Sequence, residues 1–173
     1  MNLIEIIGEE IGKLKLFYHG RKMGGRPYSG TYIFITDNLG YASGYSDGKE
    51  LYTYTIPFSM NKIFSIRNPK HLNMLKQYVD ENTIREILKA SPQEMDWAAL
   101  SYISTDDFED ASDLFIHMGF YGVSLTERQD ILSIYVFDES KLVFQGKIDI
   151  TSPEMINKIK NYYVDFTRDK NFL

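Results

Sequence analysis

Residues Tyr32–Ser46, YIFITDNLGYASGYS, join two patterns in one run. Tyr32, Phe34 and Thr36 alternate, which puts them on one face of a strand. Asp37 and Asn38 are good N-cap types, so a short helix over Leu39–Tyr45 follows. Ala42 and Gly44 keep that helix thin. About two helical turns would bring Tyr45 back across the strand end. Its ring and that of Phe34 would then leave a gap that fits a flat heteroaromatic ring. The same spacing also lets Tyr45 simply pack on the sheet.

Upstream, Leu14–His19 (LKLFYH) alternates and predicts a strand running into Gly20. Gly20–Gly30, with its glycines and Pro27, predicts a mobile loop. Downstream, Leu51–Phe58 predicts a strand, and Lys62–Ile66 a short one. Pro69 suits a first helical turn, and Leu72, Leu75, Tyr78 and Val79 share a face behind it. Further helices are expected over Thr83–Ala90 and from Pro92 through Trp97 and Leu100. Phe108, Ala111, Leu114, Phe115 and Met118 have helical spacing that stops at Gly119, a C-cap type. Strands return at Gly122–Leu125 and Leu132–Asp138, with a short one at Leu142–Gln145. A last amphipathic helix covers Ser152–Tyr163, and the tail DFTRDKNFL frays. Strands, helices, then strands predict one α+β domain over residues 1–173.

The bulk numbers bound the chemistry. The chain has 173 residues, 43% hydrophobic and 25% charged, as in ordinary globular proteins. Thirteen tyrosines and eleven phenylalanines stand against one tryptophan. A net charge of −5 argues against a dedicated nucleic-acid surface. The basic cluster Lys13, Lys15, Arg21, Lys22 and Arg26 reads as a solvated face or a local patch. No cysteine is present, which excludes disulfides, thiolate metal sites and a Cys nucleophile. Met1–Ile11 carries Glu5, Glu9 and Glu10 and does not read as a signal peptide. No apolar run has a membrane span's length, so the expected location is cytoplasmic, with no membrane partner.

His19, His71 and His117 lack metal-ligand spacing, and no metal is expected. Gly24 and Gly25 lie in neither a Walker loop nor a dinucleotide fingerprint. Ser43 is not in a nucleophile elbow. The run Asp106, Asp107, Glu109, Asp110 and Asp113 suits a helix start.

Tyr18-His19-Gly20 followed by FITDNLGYASGYS resembles the NAD-binding core of the diphtheria-toxin-like ADP-ribosyltransferases. That family has a strand ending in Tyr-His-Gly, an aromatic–x–Ser/Thr strand end, and a short helix with Ala and Gly-Tyr-Ser. GFYGVSL and SIYVFDESKL add a weaker likeness to phage and bacterial members, among them the anti-CRISPR enzymes. The resemblance implies a split, mainly antiparallel β-sandwich with an NAD cleft and a helical middle insertion. It implies a mono-ADP-ribosyltransferase that uses NAD as substrate and modifies a macromolecule, in the first instance a host or competitor protein. A toxin-like phage or bacterial effector fits it.

Carried over by position, His19 would hydrogen-bond a ribose hydroxyl of NAD, and Gly20 would hold the nicotinamide amide through its backbone. Tyr18 belongs to the same block. Phe34 and Tyr45 would sandwich the nicotinamide, and Thr36 would support the strand end. Arg21 or Arg26 would pair with the pyrophosphate, since a guanidinium fork matches it. The family's catalytic Glu column falls on Ser133, which carries no charge. Glu127 and Asp130, just upstream, are the nearest carboxylates; the register of GVSLTE against the anti-CRISPR-like members favours Glu127, with Asp130 as the second candidate. Both also read as exposed turn carboxylates. Two other readings stay open: a catalytically inactive binding module that inhibits a partner, and an RNA 2′-phosphotransferase, which the acidic balance opposes.

Overall fold

The computed structural model of the chain describes residues 15–20, 32–46, 49–90, 96, 103, 111–126 and 131–168. Their elements are β1 (Phe17–Gly20), β2 (Ile33–Thr36), α1 (Leu39–Ser43), β3 (Glu50–Thr55), β4 (Ile63–Phe64), α2 (Pro69–Leu75), α3 (Glu81–Lys89), α4 (Ala111–His117), β5 (Gly122–Thr126), β6 (Leu132–Val136), β7 (Val143–Asp149) and α5 (Pro153–Arg168). The fold is mixed α+β. The chain divides into two compact units: Met1–Arg26, Thr36–Pro57 and Leu142–Leu173 form the first, Pro27–Ile35 and Phe58–Lys141 the second.

In the first unit, β1 and β7 both pair antiparallel with β3. Thr36, the last residue of β2, pairs with Tyr18 of β1. The core is Ala42, Leu51 and Ile150, with Tyr18, Leu39, Ile148, Met155 and Ile159 packed against it. Met155 and Ile159 are one helical turn apart, which aims one stripe of α5 at this core. Ser152 opens α5 by accepting from the Met155 N–H at 3.3 Å. Glu154 and Lys158 pair on the solvent side at 2.8 Å. Strand β7 is longer than its weak pattern predicts and continues past Gln145 to Asp149. A register shift between Thr53 and Tyr54 and a positive φ of 138° at Gly146 absorb a bulge. The Thr53 hydroxyl donates to the Gly146 carbonyl at 2.9 Å. Glycine takes that φ without the Cβ clash other residues meet.

In the second unit, Ile33–Ile35 of β2 lies beside β6, β6 pairs antiparallel with β5, and β5 runs parallel to β4. Phe64, Leu75, Ile87, Leu114, Phe115, Val123 and Leu125 anchor its core. They come from β4, α2, α3, α4 and β5, so side chains of three helices share one core with the strands. Each helix has a local reason to start or stop. Asn68 accepts from the Lys70 N–H at 3.0 Å with Pro69 in the first turn, and Asp80 accepts from the Thr83 N–H at 2.7 Å. Helix α4 ends as expected at Gly119. The Phe120 N–H reaches the Phe115 carbonyl, the Gly119 N–H reaches that of Ile116, and Gly119 has φ 88°. This is the Schellman pattern. Helix α2 stops at Leu75, although the apolar face runs on to Tyr78 and Val79. Single turns from Tyr78 and Val79 back to the Leu75 carbonyl carry Val79 onto the core.

His71 of α2 is buried, and its Nδ1 accepts from the Ser65 N–H at 3.0 Å. Its ring stacks on Phe64 and meets Phe120 edge-on. Burial lowers its pKa below the ordinary histidine value. The neutral ring is therefore the folded form. Its stability contribution is whole above about pH 6.5 and is lost as pH falls through the lowered folded value. Thermal melts across that range should show the loss in the wild type. They should show less of it in His71→Asn, whose amide oxygen accepts from Ser65 without titrating. Parallel pH profiles for the two proteins would remove His71 from the account.

Phe108, the Pro92–Leu100 helix apart from Asp96, the loop after Gly20 and the final residues of the tail lie outside the described residues.

Candidate functional site

The first unit brings the Tyr-His-Gly strand end and the short helix together. Asn38 is the N-cap of α1, with Oδ1 accepting from the Tyr41 N–H at 3.0 Å. Thr36 sets the turn before it: its buried side-chain oxygen accepts from the Asn38 N–H at 3.3 Å. Asp37 pairs with Lys15 beside it. The turn therefore uses Thr36, Asp37 and Asn38 together, and helix α1 stops at Ser43, shorter than the Leu39–Tyr45 expectation. The backbone then continues in tight turns, Tyr45 N–H to Ala42 O at 3.1 Å and Ser46 N–H to Ser43 O at 3.2 Å.

These turns press on Gly20. A Cβ built there would lie 2.3 Å from the Ala42 carbonyl oxygen and 2.8 Å from both the Ser46 nitrogen and the Tyr45 carbonyl carbon. All three are backbone atoms, so no side-chain rotation relieves the overlap. Only glycine fits. The buried faces of Gly40 and Ala42 give the close approach on the helix side, and Gly44 serves as the C-cap.

His19 lies beside Gly20 in the β1–β3 ladder, opposite Tyr52, and is buried. Tyr18 is opposite Thr53 and reaches the unit's core. Tyr45 is 56% exposed. Its hydroxyl is 3.0 Å from that of Tyr41, and the two rings meet edge-on at 5.2 Å. The Tyr41 partner was not singled out in the sequence, although a four-residue separation places the two side chains on neighbouring turns.

Phe34 belongs to the second unit. It is 41% exposed, and its ring lies 4.5 Å from that of Tyr135 at 32°. Tyr32 meets the same tyrosine at 5.3 Å. Tyr32 and Phe34 therefore share a face, as the alternation predicts. Thr36 is spent on the turn.

Ser133, on β6, is 3% exposed and stands opposite Leu125 of β5. Its Oγ has no hydrogen-bond partner among the described residues. A buried unsatisfied polar atom is uncommon in folded proteins.

Asp96 is a buried group that the sequence did not single out. It is 2% exposed, accepts from the Thr126 N–H at the end of β5 and pairs with Arg67 Nε at 3.4 Å. It caps the strand from which Glu127 follows directly. Glu127, Asp130 and Arg21 lie outside the described residues. Among the described residues no group of three or more His, Cys, Asp or Glu side chains is placed to hold a metal ion. Among them, too, no helix is long and apolar enough to cross a membrane. No protein-family model matches this chain, and neither does any curated protein or solved structure.

Proposed function

We propose that this chain is a mono-ADP-ribosyltransferase that cleaves NAD and transfers ADP-ribose to a macromolecular target, in the first instance a protein. The observation that carries the reading is the seating of Gly20 against the backbone of Ala42, Tyr45 and Ser46. Gly20 of the first block and the Ala42–Ser46 end of the second are separate in the chain, and they meet in space with no room for a side chain. A chance resemblance in two separate blocks gives no reason for that fit.

The proposed fold is the ADP-ribosyltransferase-like split antiparallel β-sandwich, with an NAD site and a helical middle insertion. Tyr45 is the ring proposed for nicotinamide. His19 and Gly20, with Tyr18 in the same block, are proposed for the nicotinamide-ribose portion, Thr36 for support and Arg21 for the pyrophosphate. In the reaction the bond from ribose C1′ to the nicotinamide nitrogen breaks and nicotinamide leaves with the bonding pair. A nucleophile of the target bonds to C1′ and loses its proton. Positive charge develops on the ribose, and a carboxylate near it stabilises the transition state most where water is excluded. Glu127 is proposed for that role, with Asp130 as the alternative. Holding both reactants in line supplies a further share of the rate.

Incubation with adenine-labelled NAD and a bacterial lysate tests this. Label should appear on a macromolecular band and be lost in Tyr45→Ala. Glu127→Gln should reduce transfer by about 100-fold or more, in the range of losing one transition-state electrostatic contact. Loss in Asp130→Asn with Glu127→Gln unaffected would move the carboxylate to Asp130. No label on any band and no nicotinamide release would overturn the enzyme reading. The buried hydroxyl of Ser133, standing in the column of the family's catalytic carboxylate, favours the second reading, an inactive binding module. That module would bind a partner protein and leave NAD intact.

A further inference from the structure

Strand β7 ends the strand order, and among the described residues it pairs only with β3. Val143, Phe144, Gln145, Lys147 and Asp149 along it are exposed. One bond fixes which way its backbone points. The Ile150 N–H reaches the Lys49 carbonyl at 2.9 Å. In an antiparallel ladder alternate residues point the same way, so Ile148 and Gly146 also bond toward β3. The N–H and C=O groups of Lys147 and Asp149 therefore point outward, away from β3. All of these residues belong to the first unit.

Charge along this edge is unbalanced. Glu50 and Asp149 stand directly opposite each other. They fall between the bonded pairs of the ladder, where opposing side chains come closest. Like charges so placed are destabilising. Lys147 answers Glu50, at 3.1 Å, with its ammonium 5.0 Å from the centre of the Tyr52 ring. Among the described residues Asp149 has no ion pair. Its carboxylate is held at the edge by Thr151, whose N–H and hydroxyl donate to Oδ1 at 2.8 and 2.6 Å. A second β7 added about a two-fold axis must bring outward backbone groups against outward groups. Within Lys147–Asp149, centring the axis on Lys147 opposes two lysines, and centring it on Asp149 opposes two aspartates. Centring it on Ile148 sets each Lys147 opposite the Asp149 of the other copy, and cross-strand pairs of opposite charge are the favoured ones. The register shift before Gly146 ends regular pairing on the other side. Bulges and lysines keep an edge from indiscriminate addition, and here they leave the Ile148 register open.

We propose that this chain self-associates through β7, as an antiparallel two-fold pair centred on Ile148 in which Lys147 of each copy meets Asp149 of the other. Each opposed Lys147–Asp149 pair exchanges two backbone hydrogen bonds as well as its charges. So short a contact buries less than a standard interface, so the association is weak, with a Kd of about 10–100 μM. It is independent of the NAD reading above, which the edge of β7 does not enter.

Sedimentation equilibrium of the full chain, from about 10 μM to about 1 mM, brackets that affinity and tests the proposal. The wild type should move from monomer toward dimer across this range. High salt should weaken the association, because exposed ion pairs are screened. Lys147→Glu and Asp149→Lys should each associate at least about ten-fold more weakly, since each sets like charges opposite. Mixed in equal amounts, the two variants should associate again, because each supplies the charge the other lacks. The double variant should recover self-association for the same reason. Both positions are exposed, and recovery in the mixture reads only chains that have folded. A wild type that stays monomeric at the highest concentration would overturn the proposal. So would a dimer that both single substitutions leave intact, since it would use another surface. Loss in the single variants with no recovery in the mixture or the double variant would overturn the Ile148 register and the proposal with it.

Discussion

Gly20→Ala is expected to cost about 3 kcal/mol of folding stability and to abolish NAD binding. Overpacking a well-filled site typically costs about 1–3 kcal/mol, and this site lies at the upper end. The overlapping atoms are the carbonyl oxygen of Ala42, the carbonyl carbon of Tyr45 and the nitrogen of Ser46. Side chains turn aside from an added methyl, but backbone held by the turns after α1 does not. The turn bonds from Tyr45 and Ser46 back to Ala42 and Ser43 would have to shift together. Tyr45 would move with them. Urea unfolding measures the stability term, and calorimetry with NAD measures the second. A Gly20→Ala protein as stable as the wild type would show that α1 does not press on the strand end as described.

Asp96→Ala is expected to cost a similar amount, about 2–4 kcal/mol. The carboxylate is buried and satisfies the Thr126 N–H at the end of β5, with Arg67 opposite. Alanine removes the acceptor and leaves that N–H without its charged partner. The Arg67 side chain is 43% exposed, so water recovers part of its charge solvation. The cost therefore falls mainly on the strand end. Asp96→Asn keeps an acceptor of the same reach without the charge and should cost less than half as much. Denaturant unfolding of both variants checks the order. Equal losses in the two would mean that the shape of residue 96, rather than its charge, holds the end of β5.

Sequence carried the local chemistry and missed what depends on distant partners. The turn at Asp37 and Asn38, the Pro69 helix start and the Gly119 stop are written in single residues whose backbone preferences act locally. They stand where the pattern put them. Strand β7 was legible only to Gln145, because its later residues are held by pairing with β3 across a bulge. Nothing in VFQGKID alternates strongly enough to show that. Helix α2 ran shorter than its apolar face because a turn can present Val79 to the core as well as a helix can.

The candidate site divides in the same way. Tyr18, His19 and Gly20 were singled out through the family resemblance, whereas Ala42 and Gly44 were legible as small residues that allow a close backbone approach. The steric demand at Gly20 needed coordinates, since it comes from the backbone at and after a helix beyond the next strand. Asp96 was not legible, and Ser133 was noted only as an uncharged residue in the family's Glu column, with nothing to show its burial. A single aspartate in a polar stretch and a serine in a strand are ordinary in sequence. Only their burial, and the partners they have or lack, sets them apart.

Titration of NAD into the intact chain by calorimetry tests the central claim most directly. Saturable binding at one site per chain is expected. Tyr45→Ala is expected to lose this binding while keeping the wild-type melting temperature, because the Tyr45 ring is exposed. No measurable heat from the wild type at millimolar NAD, or equal binding by Tyr45→Ala, would contradict it.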